Sequence, residues 1–338
     1  MRAKGPGSSA YEFLIIPVGS REVGMGSGTA VAHGPNAFWW NPAGLCYLDY
    51  KCASLMYNMW FEGISQQRAG YSFPMKGNSY GSVNISMLSV SGIEGYSWHD
   101  VPTGEVTSKD YYFSYTQGKR LSPELAAGIT LKSIIEQLDE DRSFAFAFDL
   151  GVIYEPSEGI WIAGGVRNLG KSGKFDIETA PLPLTLFSGL GIRINRFILV
   201  SSDVQYLNSE LKYGAGTEVS IWDLGFLRAG YNNVADIDES FSIGAGWKWL
   251  DISVDYAYAP YGKLGNTNRF DITVRFGKLT LVESIYRNAR SLYKNKSYKQ
   301  AWIEFNKVDS LSPEYKRVRI WLENTTKQME ISEQDYGN

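Results

Sequence analysis

The 338-residue chain carries 33 Lys and Arg against 36 Asp and Glu, a net charge of −3 with no basic stripe, which argues against a nucleic-acid partner. It holds 22 Tyr, 16 Phe and 10 Trp, yet its mean hydropathy is only −0.22. A soluble core would set so many rings among aliphatics and be greasier, and no run of about 18 apolar residues offers a transmembrane helix.

Met1 to Ser9 lacks the charged-then-apolar pattern of a secretory leader. Gly5-Pro6-Gly7-Ser8-Ser9 reads as a mature terminus, so the leader is expected to have been cleaved, trimmed or lost through a misassigned start. Residues 1–10 are expected to be disordered. Tyr11 to Leu45 is glycine-rich, contains the turn-forming run His33-Gly34-Pro35-Asn36, and is not strand-like. The only cysteines are Cys46 and Cys52, too far apart for a CxxC motif, and the only histidines are His33 and His99. No zinc site, metal site or Cys/His catalytic pair is therefore expected. The thiols read as two isolated groups in or near the first strand, with a disulfide as the alternative.

From residue 51 to 278 the chain falls into strand-sized pieces with period-two alternation. Phe144, Phe146, Phe148, Leu150, Val152 and Tyr154 form one apolar row, with Ala145, Ala147, Asp149 and Gly151 between them. Phe241, Ile243, Ala245, Trp247 and Trp249 form another, as do Ile252, Val254, Tyr256 and Tyr258, and Phe270, Ile272, Val274 and Phe276. Alternate residues of a strand face opposite sides, so one side is greasy and the other small or polar. Lipid is the natural solvent for a face so rich in rings, and the pattern is that of an outer-membrane β-barrel. The pieces lie near Cys52–Phe61, Ser65–Met75, Tyr80–Val90, Lys109–Gly118, Ser122–Glu136, Ser143–Glu155, Gly159–Asn168, Leu184–Ile194, Phe197–Tyr206, Lys212–Ile221, Gly225–Asn232, Ser240–Trp249, Asp251–Ala259 and Arg269–Gly277. The fold class is thus all-β: an antiparallel transmembrane barrel of roughly 14 strands. A soluble sandwich or propeller is the alternative.

The connections sort by parity. Ser91–Ser108, Gln137–Arg142, Leu169–Pro183, Asn233–Glu239 and Pro260–Asn268 are long and odd-numbered. The even-numbered ones are short, among them Lys76-Gly77-Asn78, Asn195-Arg196 and the Leu250 turn. Bacterial barrels keep long loops outside and short turns in the periplasm, which puts the long connections outside. Phe146, Phe148, Val254 and Ile272 are expected to face lipid, whereas Asp149 and Ser253 are expected to tolerate a charge.

Past Phe276 the apolar spacing lengthens to three and four. Ile285, Ala289 and Leu292, then Ala301, Phe305 and Val308, predict two amphipathic helices; Pro313 follows, with a third helix from about Glu314. Ala301, Phe305 and Pro313 fall at offsets typical of a tetratricopeptide repeat. Residues 279–332 are therefore expected to form periplasmic tetratricopeptide-like helices, with 333–338 as a tail. Leu292, Tyr298, Ala301, Phe305 and Pro313 are the candidate partner-binding residues. A plain helical hairpin capping the barrel is the alternative.

Gly24-Met25-Gly26-Ser27-Gly28 lacks the spacing, following helix and closing acid of a dinucleotide fingerprint. Its small residues suit a segment threaded through a lumen. Asn41-Pro42-Ala43-Gly44 is a turn: Pro fixes φ, Gly permits a reversal, Asn bonds its own backbone. Asp139, Glu140, Asp141 and Arg142, like Asp236, Asp238 and Glu239, read as solvated loop charge without calcium-loop spacing. No Ser/His/Asp constellation is present, so no catalytic residue, enzyme activity or cofactor is expected.

Several stretches resemble the PorV/PorQ family of outer-membrane barrels, relatives of the FadL fatty-acid channel. They are Phe13-Leu14-Ile15-Ile16-Pro17-Val18-Gly19-Ser20-Arg21, Gly24-Met25-Gly26, Trp40-Asn41-Pro42-Ala43-Gly44-Leu45, Trp60-Phe61-Glu62-Gly63-Ile64, Phe146-Ala147-Phe148-Asp149-Leu150-Gly151, Pro181-Leu182-Pro183-Leu184, Arg228-Ala229-Gly230-Tyr231 and Asp255-Tyr256-Ala257-Tyr258-Ala259-Pro260. The resemblance covers about residues 10 to 277. It implies a fourteen-stranded barrel (51–278) whose N-terminal segment (11–50) folds inside as a hatch, with Trp39, Trp40, Asn41, Pro42, Ala43 and Gly44 as candidate ligand or gating residues. It also implies a non-enzymatic, protein-binding part of a type IX secretion-like export machinery. The expected partners are outer-membrane lipid, export proteins or secreted cargo, and a periplasmic partner for the helices. The alternative is a FadL-like channel for long-chain fatty acids or other hydrophobic small molecules.

Overall fold

The computed structural model describes residues 10–97, 99–139, 141–173, 181–222, 224–233, 240–276, 281–312, 315 and 318–335. They form two compact units, one of strands and one of helices. Fourteen antiparallel strands close into a barrel: β1 (Lys51–Met59), β2 (Ile64–Pro74), β3 (Ser79–Tyr96), β4 (Pro102–Arg120), β5 (Leu125–Leu138), β6 (Asp141–Ser157), β7 (Ile160–Lys171), β8 (Thr185–Arg193), β9 (Ile198–Leu207), β10 (Glu210–Ile221), β11 (Gly225–Asn232), β12 (Ser240–Trp249), β13 (Ile252–Pro260) and β14 (Asn266–Phe276). Each strand pairs with its neighbours in sequence, and β1 closes on β14 from Lys51↔Phe276 to Met59↔Asn268. Closure leaves no sheet edge, so every strand bonds on both sides, as a wall in lipid requires.

The alternation fixes which side faces out. Phe146 is 68% exposed and Ile272 45%, while their neighbours Ala147 and Asp271 are buried. The rows through Phe144, Leu150, Val152 and Tyr154, and through Phe241, Ile243, Trp247 and Trp249, also lie outside. Asp149 departs from expectation. It points inward and is fully buried against Lys132, Nζ to Oδ2 2.7 Å, so the site has no space for a larger side chain.

Two expected loops are strand instead. Pairing of β3 with β4 runs up to Tyr96↔Pro102 with a register shift between Val90 and Ile93, where Gly92 takes φ 78°. Ser91–Ser108 is therefore largely a two-stranded ribbon, and Gln137–Arg142 is crossed by the pair Leu138↔Asp141. Beyond Val90 the ribbon mixes Glu94 and Thr103 with exposed Tyr96 and Val101, so its hydropathic alternation ends while its hydrogen-bond ladder continues. The wall is tall over β3–β6, whose strands have 18, 19, 14 and 17 residues, and low at β11, with 8. Leu169–Pro183 gives its first residues to β7, and the loop acids Glu140, Asp236, Asp238 and Glu239 lie outside the described residues.

The second unit is three helices, Leu281–Lys294 (α1), Tyr298–Leu311 (α2) and Val318–Asp335 (α3). Their core is Tyr286, Ala289, Ala301, Phe305, Val308 and Val318, flanked by Leu292, Tyr293, Trp321 and Leu322. Phe305 stacks on Trp321 at 5.8 Å, and Arg290 lies 3.9 Å over the same indole.

A charge on the outer rows must meet lipid. Phe146→Arg or Ile272→Arg is expected to cost about 2–4 kcal/mol near the midplane, read as a lower unfolding midpoint in heat-modified gel mobility. Ser253→Lys, on the polar side of β13, is expected to leave that midpoint nearly unchanged.

Candidate functional site

The lumen is filled by residues 10–50. The end of the barrel that carries the Lys76-Gly77-Asn78 and Leu250 turns is called the short-turn end, the opposite one the long-hairpin end. The described chain begins at the long-hairpin end, where Ala10 N donates to Pro181 O at 2.9 Å and the Tyr11 and Ser143 hydroxyls meet at 2.5 Å. It descends to Tyr50 beneath Arg275 and runs into β1 at the short-turn end. On the way it makes only short helical turns, at Glu12–Ile15, Ser20–Gly24, Ala37–Trp40 and Pro42–Tyr47.

At the long-hairpin end the packing is apolar. Tyr11, Phe13, Leu14 and Ile16 meet Trp39 and Trp40 from the hatch and Leu88, Tyr112, Ile134, Ala145 and Leu182 from the wall and its loop. Trp39 sets its edge on Tyr112 at 5.7 Å, and the Trp40 indole N–H donates to Val18 O at 2.8 Å. A small void of about 20 Å³ remains between Leu14, Pro17, Trp40 and Leu207.

Halfway down, hatch and wall are joined by charge. Asp271 accepts from Ser20 N (2.5 Å) and Ser20 Oγ (2.6 Å) and pairs with Arg68 at 3.4 Å. Arg21 reaches Glu218 with two nitrogens, at 2.8 and 3.1 Å, and donates to Val31 O at 2.7 Å. Glu218 also accepts from Arg228, which binds Asp255 at 2.6 Å. Asp203 accepts from Gly28 N, Thr29 N and Thr29 Oγ1 at 2.7, 3.1 and 2.6 Å. Hydrogen bonds to a charged group contribute about 1.5–3 kcal/mol each, so this belt is the main polar anchor of the hatch.

Asn41-Pro42-Ala43-Gly44 is the second anchor. Asn41 Oδ1 accepts from Ala43 N at 3.1 Å, while Asn41 Nδ2 donates to Thr29 O and to Val152 O of β6, both at 3.1 Å. The turn lies flat on wall glycines: a Cβ at Gly151 would strike Asn41 and Pro42, one at Gly128 would strike Pro42 and Ala43, and one at Gly118 would strike Cys46. Around the barrel, Gly214, Gly216 and Gly230 give way to Met25 and Gly26, and Gly189 to Thr29. Trp39, Trp40, Asn41, Pro42, Ala43 and Gly44 are all buried and together, between the apolar mouth and the wall glycines.

The sequence reading did not single out Asp203, Glu218 or Asp271, and it named Gly151 and Gly230 without assigning them as seats for the hatch. Their signal was present as charged and glycine residues on the inward register of strands whose other face is aromatic. Among the helices, Ala301 and Phe305 are interior, Leu292 is half-buried, and Tyr298 packs its edge on Tyr293 at 5.4 Å. Ala301 and Phe305 thus hold the helices together and present no atoms to a partner. Pro313 lies outside the described residues.

Toward the short-turn end a polar chamber of about 250 Å³ opens, lined by Arg21, His33, Asn36, Arg193, Asp255 and Arg275 among others. His33 is stacked on Tyr47 at 3.9 Å and edge-on to Trp161 at 4.9 Å. Burial, then the charges of Arg21 and Arg193, push its pKa down to about 3. Cys46 and Cys52 are buried free thiols, and burial pushes the Cys46 thiol up to about 12, which keeps it an inert thiol. On the lipid side Leu55, Tyr71, Ile85, Phe113, Leu131 and Phe146 of β1–β6 form a broad, open apolar surface.

Two outcomes follow. Gly151→Leu or Gly216→Leu leaves no space for the hatch, at a cost of about 1–3 kcal/mol of overpacking. Either is expected to raise ion conductance in planar bilayers, while Gly225→Leu, whose Cβ meets nothing closer than 3.7 Å, is not. For His33 the docked pKa lies below the undocked value of 6.5, so the undocked state binds more protons between the two. Docking is therefore fully supported above the undocked value and weakens as pH falls toward the docked one, by at most about 1.4 kcal/mol per pH unit. Protease sensitivity of the hatch is expected to rise over that window and to do so less in His33→Phe.

No family model matches the sequence, and no curated protein matches it. Solved structures do share its fold. The toluene transporter TbuX of Ralstonia pickettii superposes with a TM-score of 0.63 at 14% identity, over 78% of this chain and 100% of that one. The CymD monoaromatic hydrocarbon channel gives 0.62 at 11%, over 78% and 99%. A Pseudomonas aeruginosa FadL homologue gives 0.52 at 10%, over 77% and 97%. The likeness is one of architecture: the chain has the fold of the FadL-like outer-membrane transporters.

Proposed function

We propose that the barrel is a gated passage for small hydrophobic molecules, in the manner of a FadL-like channel, with the long-hairpin end outside the cell. One observation carries this reading. At the long-hairpin end the β4–β6 wall carries the apolar Tyr11–Trp39–Tyr112 cluster within and exposed Phe113, Leu131 and Phe146 on its outer face. Below that cluster, the Arg21, Glu218, Arg228 and Asp271 belt presents charge to anything moving down the lumen. An apolar solute is thereby favoured at the mouth and disfavoured in the belt, since moving it away from apolar surroundings costs about 25 cal/mol per Å². The fold shared with toluene and monoaromatic hydrocarbon channels supports the same reading.

The test is uptake of toluene and of a long-chain fatty acid into proteoliposomes. The intact protein is expected to exceed empty vesicles. Leu14→Arg, which sets a charge in the apolar mouth, is expected to lower uptake about tenfold or more. Uptake equal to that of empty vesicles for both solutes, with the barrel folded, would overturn the proposal.

A second reading, a protein-binding component of an export machinery of the PorV/PorQ kind with the helices in the periplasm, is favoured by the three-helix unit. Deleting everything after Lys278 is then expected to leave a folded barrel that has lost a co-purifying protein. A truncated barrel that keeps all its partners argues against it.

A further inference from the structure

Arg269 lies on the inward register of β14, opposite Asn58 of β1 and Ala257 of β13, and is only 1% exposed. Its Nε and Nη1 meet no hydrogen-bond acceptor, and the indole N–H of Trp60, in the adjoining β1–β2 connection, meets none either. A buried guanidinium is costly unless it is paired and its N–H groups are taken up. Other lumen cations meet that condition: Arg21 pairs with Glu218, Arg68 with Asp271 and Lys132 with Asp149. The acids whose charge reaches Arg269 are Asp271 and Glu22, and both are held elsewhere. Asp271 is bound by Ser20 and Arg68, and Glu22 accepts from Asn36 at 2.9 Å. The complement that Arg269 lacks is therefore an anion that accepts hydrogen bonds.

The surroundings describe the rest of such a molecule. From Arg269 toward the long-hairpin end, the β1–β2 and β13–β14 connections carry Trp60, Phe61 and Tyr261. Their ring centroids lie 5.2, 5.9 and 5.7 Å apart in the three pairings. The rings pack on Val23 of the hatch and on Ala257 and Ala259 of the wall. Trp60 packs also on the Tyr11–Trp39–Tyr112 cluster, so the ring cluster and the apolar mouth are continuous. Trp60 and Phe61 are half-buried, and all three rings stand in connections outside the wall ladder. Reaching Arg269 from the mouth thus displaces rings and leaves the wall intact. Aromatic rings take another ring edge-on or offset, and a planar carboxylate matches the planar guanidinium.

We propose that Arg269, the Trp60 indole N–H and the rings of Trp60, Phe61 and Tyr261 form a subsite for a small aromatic carboxylate entering at the long-hairpin end. The subsite rests on the passage reading above and adds an acid-bearing class of solute to it. Full-length protein in detergent supplies the test, by equilibrium dialysis with radiolabelled benzoate and with benzamide as its uncharged counterpart. Benzoate is expected to bind saturably, and benzamide to compete about tenfold or more weakly. Arg269→Gln is expected to lower benzoate affinity about tenfold or more, Arg269→Lys to fall between, and Trp60→Phe to lower it about threefold. Heat-modified gel mobility reports that each barrel is folded. Benzamide that competes as well as benzoate, or a folded Arg269→Gln that binds benzoate like the parent, would overturn the proposal. Should Arg269→Gln fail to fold, unaltered benzoate affinity in Trp60→Phe overturns it instead. Toluene uptake separates the two readings: its absence overturns the passage, whereas dialysis reads the carboxylate subsite without transport.

Discussion

A closed barrel spends its backbone on itself: every strand is bonded to two neighbours, so the wall has almost no main-chain groups left for anything inside. The hatch has no strand partner, yet its amides are buried and must be met. Most are met by the hatch's own carbonyls in its short turns, as Val23 N by Gly19 O and Ala32 N by Gly28 O, and others by side chains of the wall and of the hatch itself. Asp271 takes Ser20 N, Asp203 takes Gly28 N and Thr29 N, Asn41 caps Ala43 N, and Arg21 serves Val31 O. Where the hatch backbone comes too close for a side chain, the wall carries glycine, as at Gly128, Gly216 and Gly230. The charged belt and the glycine seats are two answers to one requirement.

The same requirement divides the lumen. Carboxylates and guanidinium groups gather where the hatch has exposed main chain, around residues 20–31, while the rings of Phe13, Trp39 and Tyr112 fill the long-hairpin end. Outside the wall there is no such division, because lipid asks only for apolar surface.

Much of the wall was legible in the sequence because lipid imposes a strict period of two. The aromatic rows of β6, β12, β13 and β14 reveal strand, register and outward face together. The ribbon through Ser91–Ser108 was not legible as strand, since its hydropathic alternation ends beyond Val90 while pairing continues. Asp149 was read by its polarity alone; that it is buried against Lys132 is a tertiary fact about β5 and β6. In the hatch, Asn41-Pro42-Ala43-Gly44 announces a turn through its own chemistry, but its seats lie more than 70 residues away on β4–β6. Likewise the spacing of Ala301 and Phe305 tells of a helix face. Only the packing of Phe305 on Trp321 tells that the face is turned inward.

The pairing of β1 with β14 bears on how the molecule is assembled. Residues 10–50 precede the first strand, and they end up enclosed by a seam that needs the last one. Threading a chain with Trp39, Trp40 and Arg21 through a finished ring would require every seat to be vacated at once. The filling therefore has to be in place, or to grow in step with the curving sheet, before the two ends of the sheet zip together. The glycines of β4, β5 and β6 then act first as a mould around which the early strands bend, and the β1–β14 ladder is the stitch that makes the enclosure permanent.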